Sequence, residues 1–267
     1  MKKIRVFVSG ACGKMGQEVV RTILKQEDMA LVGAADSHRS GTDIGFLVGL
    51  PRIGVDVIGP LDMESLVVSK PDILIDFTNP QSVLKNAKIA IAAGVVPVIG
   101  TTGLDEAEIA EIRETAQREK VGVFIAPNFA LGAILMMRFA KEAARYFPHV
   151  EIIELHHDQK LDAPSGTALK TADAILEVRG PMVQGHPKEY EKISGARGAD
   201  KDGIHIHSVR LPGLIAHQEI IFGGEGQALT IRHDAYTRET YMPGVMLAIR
   251  KSYQLTEMVI GLENFLD

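Results

Sequence analysis

The chain opens on a β-rich run, Ile4-Arg5-Val6-Phe7-Val8, which breaks at Ser9-Gly10 and passes into the turn Gly10-Ala11-Cys12-Gly13-Lys14-Met15-Gly16. Behind that turn Val19, Val20, Ile23 and Leu24 recur at helical spacing, and a second apolar run over 30–35 ends at Asp36. Strand, glycine turn, helix, strand and acid, in that order, specify a parallel βαβ unit of the dinucleotide-binding kind. The glycines permit a tight turn and close backbone approach. A pyrophosphate can then rest on the helix start, where unpaired N–H groups and the helix dipole favour an anion. Asp36, about twenty residues beyond the last glycine, is placed to accept hydrogen bonds from an adenosine ribose. The spacing is G-x-x-G-x-x-G rather than the commoner G-x-G-x-x-G, so the flanking elements carry the assignment more than the glycines do.

The alternation continues. A buried strand over 72–78 stops at Asn79-Pro80, a helix spans 82–93, and a strand over 95–99 ends at Gly100-Thr101-Thr102-Gly103. Asp105 caps a charged helix over 106–119 with Ile109, Ile112 and Ala116 turned inward, and a strand over 121–125 ends at Ala126-Pro127-Asn128-Phe129. The fold class this predicts is α/β, with a Rossmann-like domain. Ligands of open parallel sheets sit beyond the carboxyl ends of the strands, so the turns at 10–16, 78–80, 100–103 and 126–129 outline a cofactor cleft. Cys12 lies in the phosphate turn, where a helix dipole can lower a thiol pKa; a small turn residue is the preferred reading over a redox centre.

After Asn128 the pattern changes. A helix over 130–145, a strand over 150–157, a helix over 168–178 and an irregular polar stretch over 180–203 precede strand-like runs at 203–211, 217–222 and 227–233. Gly223-Gly224-Glu225-Gly226 marks a hairpin between the last two. This predicts a second, α+β domain on a mixed, open sheet. A final helix over 241–253 is expected to pack back on the first lobe.

The chemistry concentrates in Glu154-Leu155-His156-His157-Asp158-Gln159-Lys160-Leu161-Asp162-Ala163-Pro164-Ser165-Gly166-Thr167-Ala168-Leu169. Two histidines and a lysine follow an apolar strand, and a helix opens behind them. Ser165 suits the N-cap, which leaves Gly166 and Thr167 to offer backbone N–H groups and a hydroxyl to a carboxylate. Lysine and histidine can pair with a second anion or deliver a proton. A small, multiply acidic molecule undergoing proton chemistry fits this set. Adjacent residues of a strand point to opposite faces, so His156 and His157 do not chelate together, and no metal site is expected. The absence of a G-x-S-x-G elbow argues against a serine nucleophile. His205 and His207 receive no role. His217, Arg232, His233 and Arg238 are left between a cleft and an interface, with an ordinary structural role preferred.

Net charge is −5, with 29 basic against 34 acidic residues and no basic run, which argues against a nucleic-acid partner. The single cysteine excludes an internal disulfide and fits a reducing compartment. The longest apolar stretch, 89–99, is broken by Gly94 and Pro97 and cannot span a bilayer. A soluble cytoplasmic protein without a membrane partner is expected.

Taken together these segments resemble the dihydrodipicolinate reductase family. The resemblance rests on Gly10-Ala-Cys-Gly-Lys-Met-Gly16, Asp76-Phe-Thr78, Gly100-Thr-Thr-Gly103, Ala126-Pro-Asn-Phe129, the H-H-x-x-K of 156–160 and Asp162-Ala-Pro-Ser-Gly-Thr-Ala168, with His207-Ser-Val-Arg210, Ile231-Arg-His233 and Arg238 behind them. The H-H-x-x-K and D-A-P-S-G-T-A pair is its most specific part. The resemblance implies a discontinuous dinucleotide-binding domain, 1–127 and 237–267, and a domain over 128–236 that binds substrate and assembles a homotetramer. It implies reduction of 4-hydroxy-tetrahydrodipicolinate, a cyclic dicarboxylate, with NADH or NADPH, in the diaminopimelate route to lysine. His156 and Lys160 match the family's proton-transfer positions, and His157, Gly166 and Thr167 its substrate-binding positions. Cofactor contacts would come from Gly10, Ala11, Cys12, Gly13, Lys14, Met15, Asp36, Gly100, Thr101, Thr102, Ala126, Pro127, Asn128 and Phe129. Many members carry Glu where this chain has Asp36 and Arg where it has Lys14. Asp36 favours a free 2′-hydroxyl, while Lys14 and Arg39 can neutralise a 2′-phosphate, so use of both cofactors is expected.

Two alternatives remain at this point. One is another nicotinamide enzyme of an amino-acid pathway, such as a semialdehyde or homoserine dehydrogenase; against the former, Cys12 is poorly placed as a catalytic thiol. The other is a catalytically silent dinucleotide sensor, against which His156, His157 and Lys160 stand together.

Overall fold

A computed structural model describes residues 2–266, and the chain divides into two compact units. The first takes the chain up to Ala130 and again from Tyr241; the second is Leu131–Thr240.

The first segment alternates as the apolar runs require: β1 (Ile4–Ser9), α1 (Lys14–Leu24), β2 (Met29–Ala35), α2 (Ile44–Leu47), β3 (Val57–Ile58), α3 (Met63–Ser69), β4 (Ile73–Asp76), α4 (Pro80–Ala92), β5 (Val96–Ile99), α5 (Glu106–Glu119) and β6 (Val123–Ile125). Helix starts follow local chemistry. Asn79 accepts from Ser82 N–H with Pro80 in the first turn, and Asp105 and Glu108 form a capping box; such caps contribute about 1 kcal/mol each. α1 starts at Lys14, five residues before the apolar spacing begins at Val19, because Gly13 takes the N-cap. Gly16, Val19, Val20 and Ile23 are buried on it, whereas Leu24 lies at the surface.

The second unit runs α6 (Leu131–Ala143), β7 (His149–His156), α7 (Gly166–Arg179), β8 (Ala199–Lys201), β9 (Ile204–Arg210), β10 (Ala216–Gly224) and β11 (Gln227–Ala235). Its sheet has the order β11-β10-β7-β9-β8, with β7 and β9 parallel and the other pairs antiparallel. Burial alternates along β7, with Val150, Ile152 and Glu154 buried. That face carries the helices: Gln218 of β10 donates to Thr171 Oγ1 of α7 at 2.8 Å. α7 begins at Gly166 rather than at 168, since Ser165 already caps it by accepting from Ala168 N–H. In the hairpin, Gly223 and Gly224 stay in β10, so the turn is only Glu225-Gly226. The short β8 interrupts the stretch expected to be irregular.

The closing segment adds a 3₁₀ turn (Arg238–Tyr241), α8 (Met242–Ser252) and β12 (Met258–Ile260). β12 pairs parallel to β6 and completes an all-parallel sheet, β12-β6-β5-β4-β1-β2-β3. Arg250 of α8 binds the Asp28 carboxylate ahead of β2 at 2.7 Å, and Gly244 packs so closely on the Phe129 carbonyl that a Cβ there would lie 2.0 Å from its oxygen. Because this sheet is covered on both faces, its strands are buried without alternation, as in the fully buried Ile73-Leu74-Ile75-Asp76. Apolar clusters of this unit gather around Val83, Ile91, Ile99, Ile112 and Val123, and around Phe7, Leu61, Leu66 and Leu74. Each such side chain contributes about 1.5–3 kcal/mol through removal from water.

Candidate functional site

The glycine turn is built for close approach. Gly10 has φ +79, and a Cβ on it would lie 2.3 Å from the Phe77 carbonyl oxygen; one on Gly16 would lie 2.0 Å from the Gly10 carbonyl oxygen. Only glycine fits either place. The Gly10 and Ala11 N–H groups bond to Ala35 O, and the first helical bond of α1 runs from Gln17 N–H to Gly13 O at 2.9 Å. The N–H groups of Lys14, Met15 and Gly16 therefore point out of the helix start without an intrahelical acceptor. No side chain caps this helix and no acid lies in its first turn, so the donor set suits a pyrophosphate.

Asp36 follows β2 directly. Its Oδ2 accepts from Cys12 N–H at 2.9 Å and its Oδ1 from His38 N–H at 2.9 Å. Each oxygen retains accepting capacity for a ribose hydroxyl. Lys14 and Arg39 are exposed. Burial, then the Asp36 charge, pushes the Cys12 thiol up to about 11, so at neutral pH it is a protonated turn residue.

Two of the other turns meet at a buried acid. Asp76 accepts from Thr78 Oγ1 at 2.7 Å, Thr101 Oγ1 at 2.6 Å and Asn86 Nδ2 at 2.7 Å, while Thr101 Oγ1 accepts from Thr78 N–H at 2.8 Å. The Thr101 hydroxyl thus fastens the 78 and 101 turns together, and Gly100 and Thr102 flank it. The Gly100 Cα lies against the Phe77 ring, where a Cβ would come within 2.2 Å. Beyond β6, Ala126 is buried, Pro127 exposed, and Asn128 accepts from Ala130 N–H at 2.9 Å. Phe129 packs on Phe77 with ring centroids 5.7 Å apart. Residues fit for a dinucleotide line the carboxyl ends of this sheet.

In the second unit the site is assembled on Glu154, a residue the sequence reading quoted but gave no role. Glu154 lies at the centre of the sheet and is 0% exposed. Its Oε2 meets His156 Nδ1 at 2.5 Å and Arg210 Nη1 at 2.8 Å; its Oε1 accepts from Arg210 Nη2 at 2.7 Å and from Ser165 N–H at 3.2 Å. Burial alone would raise this carboxyl, but hydrogen bonds from His156, Arg210 and Ser208 outweigh it and hold the acid at about 2. An ionised carboxylate only accepts, so His156 carries its hydrogen on Nδ1 and directs Nε2 away from Glu154.

Arg210 also donates to the Asp162 carbonyl at 2.9 Å. Lys160, in the same loop, reaches Asp162 Oδ1 at 2.6 Å, and His157 is exposed. Gly166 and Thr167 open α7 with N–H groups that lack intrahelical acceptors; a Cβ on Gly166 would meet nothing within 4 Å. Glu154 therefore joins the imidazole of His156 to a helix start whose free N–H groups suit an anion. Two other histidines of this sheet have carboxylate partners of their own: His207 on Glu151 at 2.8 Å and His217 on Asp234 at 2.7 Å. Among the described residues no group of three His, Cys, Asp or Glu side chains gathers in a way that could hold a metal, and no helix is long and apolar enough to cross a membrane.

Two family profiles match the chain: "Dihydrodipicolinate reductase, N-terminus" over residues 4–129 and "Dihydrodipicolinate reductase, C-terminus" over 132–266. A 4-hydroxy-tetrahydrodipicolinate reductase of Desulfitobacterium hafniense is 73% identical over 267 residues, 100% of both chains. One of Listeria monocytogenes is 53% identical over 264 residues, 99% of this chain and 100% of the relative. Among solved structures, a dipicolinate-bound dihydrodipicolinate reductase from Paenisporosarcina sp. TG-14 superposes with a TM-score of 0.87 at 51% identity, covering 99% of this chain and 100% of that one. An amine dehydrogenase of Mycobacterium smegmatis, at 17% identity and a TM-score of 0.68 over 97% of this chain and 95% of its own, shares the fold alone.

Proposed function

Since the chain belongs to the dihydrodipicolinate reductase family, we propose that it reduces 4-hydroxy-tetrahydrodipicolinate to tetrahydrodipicolinate with NADH or NADPH, in the diaminopimelate route to lysine. The overall change is substrate plus NAD(P)H plus a proton, giving product, NAD(P)⁺ and water. The observation that carries this reading is the Glu154-anchored pairing of His156 with a carboxylate-binding helix start.

The bound nicotinamide supplies the hydride. The glycine turn and the N–H groups of Lys14 and Met15 hold the pyrophosphate, and Asp36 accepts from the ribose. Lys14 and Arg39 admit a 2′-phosphate beside it, so both cofactors are accepted. Gly100, Thr101, Thr102 and the 126–129 turn shape the nicotinamide end of the cleft, with Phe77 and Phe129 as its apolar floor.

The residues of the second unit handle the dicarboxylate. The Gly166 and Thr167 N–H groups and the Thr167 hydroxyl take one carboxylate at the start of α7, and His157 takes part in binding. As hydride enters the conjugated ring, negative charge builds up across it. Lys160 and the His156 Nε2 face stabilise that charge and deliver the proton that completes the reduction.

The dipicolinate carried by the solved Paenisporosarcina relative, a planar dicarboxylate, supports this assignment of substrate class. A homo-oligomer, a tetramer built on the second unit's sheet, is part of the same reading; β11 is an edge strand of nine residues whose first four are exposed. A cytoplasmic location accords with a single free cysteine.

The test is loss of nicotinamide absorbance with purified protein, NADH and NADPH in parallel, and substrate made freshly from pyruvate and aspartate semialdehyde by a coupled synthase. Turnover supports the reading. No turnover with either cofactor, in folded and cofactor-bound protein, would favour the silent sensor.

A further inference from the structure

Resting on the reductase reading, we propose that Glu154 is a positioning residue for the reaction. Its buried carboxylate fixes the Nδ1–H tautomer of His156, leaves Nε2 for the substrate, and holds that imidazole in register with the start of α7.

The geometry has a feature that stability alone does not require. A carboxylate in the middle strand of a sheet is costly to bury, and apolar residues of similar volume commonly serve a core as well or better. Here Val150 and Ile152 precede Glu154 on the same buried face. The acid divides its two oxygens between chemistry and architecture. Oε2 is shared by His156 Nδ1 at 2.5 Å and Arg210 Nη1 at 2.8 Å; Oε1 is shared by Arg210 Nη2 at 2.7 Å and Ser165 N–H at 3.2 Å. Arg210 continues to the carbonyl of Asp162, whose carboxylate holds Lys160. One ion pair therefore sets the imidazole, the helix start and the lysine loop at once.

Among the described residues, Glu154 is the anionic hydrogen-bond partner that the elements around His156 present to it. Across the parallel pair stands Arg210, with Ser208 opposite Glu154. On β10 the facing residues are Ala216 and Gln218, both uncharged. The start of α7 offers Ser165, Gly166 and Thr167, and the connecting loop brings His157, Asp158, Lys160 and Asp162.

The test combines a spectroscopic readout with turnover. In ¹⁵N-histidine-labelled protein with NADH bound, long-range ¹H–¹⁵N correlation reports the tautomer, and His156 is identified as the signal lost in His156→Asn. The neutral ring is expected as Nδ1–H in the wild type and as a tautomer mixture in Glu154→Gln. Turnover of Glu154→Gln is expected to fall about 100-fold in kcat, with Glu154→Asp, which keeps the charge, recovering part of it. If Glu154→Gln fails to fold, the double variant Glu154→Gln/Arg210→Gln removes the stranded cation, and the wild-type spectrum stands alone as a test. An Nε2–H ring in the wild type, or a folded Glu154→Gln enzyme with unchanged kcat, would overturn the proposal. The reductase reading fails separately, by absence of turnover in the wild type.

Discussion

The carboxylate of Asp36 accepts a hydrogen bond from the backbone N–H of Cys12 at 2.9 Å. Asp36, the proposed ribose acceptor, is therefore also a brace of the glycine turn, and a substitution there touches that turn as well. Replacing Asp36 with Gly is expected to raise KM for NADH about 10-fold, the equivalent of about 1.4 kcal/mol, with a smaller change for NADPH. Steady-state kinetics with both cofactors measure this. An equal rise for both would make Asp36 a brace only.

Two glycines of helix starts should respond in opposite ways. Gly16→Ala drives a methyl against the Gly10 carbonyl oxygen at 2.0 Å and the Ala11 Cα at 2.8 Å. Backbone must move, at a cost of about 1–3 kcal/mol, and dinucleotide affinity should drop with it. Gly166→Ala meets nothing within 4 Å, so its melting temperature should match the wild type while KM for the dicarboxylate rises. Thermal denaturation and kinetics on the pair decide. A destabilised Gly166→Ala would place that residue in the scaffold instead.

The Lys160 ammonium bonds the exposed carboxylate of Asp162, at the outer end of the Glu154–Arg210 network, so its removal should spare the fold. Lys160→Ala is expected to keep its circular dichroism spectrum and to lose about 10²- to 10⁴-fold in kcat, the usual span for a general acid. Full turnover in this variant would remove Lys160 from the proton step.

How far these residues were legible differs by the kind of signal. The Asp105 and Glu108 box fixes the start of α5 from four adjacent residues, and the spacing of Val19, Val20 and Ile23 finds the buried face of α1. Those are local codes. β12 is three residues long and owes its existence to β6, more than a hundred positions earlier, so no local pattern announces it. The same holds for the two-residue β3. At the site, the histidines, Lys160 and the Ser165 cap are adjacent and readable, whereas the role of Glu154 depends on Arg210, fifty-six residues on. A charged residue on the inward-facing register of an apolar strand was the available clue. At Cys12 a helix start alone can lower a thiol pKa, but burial and the neighbouring Asp36 charge raise it, in keeping with the preferred reading as a small turn residue.

Glu154 also ties stability to pH. Its carboxyl falls from 4.5 to about 2 on folding, burial being outweighed by the bonds from His156, Arg210 and Ser208. A depressed acid contributes fully above its unfolded value and loses that contribution as pH drops through the folded one. The wild type should therefore lose stability relative to Glu154→Gln between about pH 4.5 and pH 2. Urea unfolding of both proteins across that window measures the difference. A gap that stays constant with pH would show that the Glu154 charge is not coupled to folding.

The most direct measurement of the central claim follows the hydride itself. NADH carrying deuterium at C4, prepared separately as the 4R and 4S epimers, is supplied with synthase-generated substrate, and the product is examined by mass spectrometry. One epimer should yield tetrahydrodipicolinate heavier by a single deuterium, and the other should yield unlabelled product. Cofactor oxidation with no deuterium in the ring from either epimer would contradict hydride transfer to this substrate.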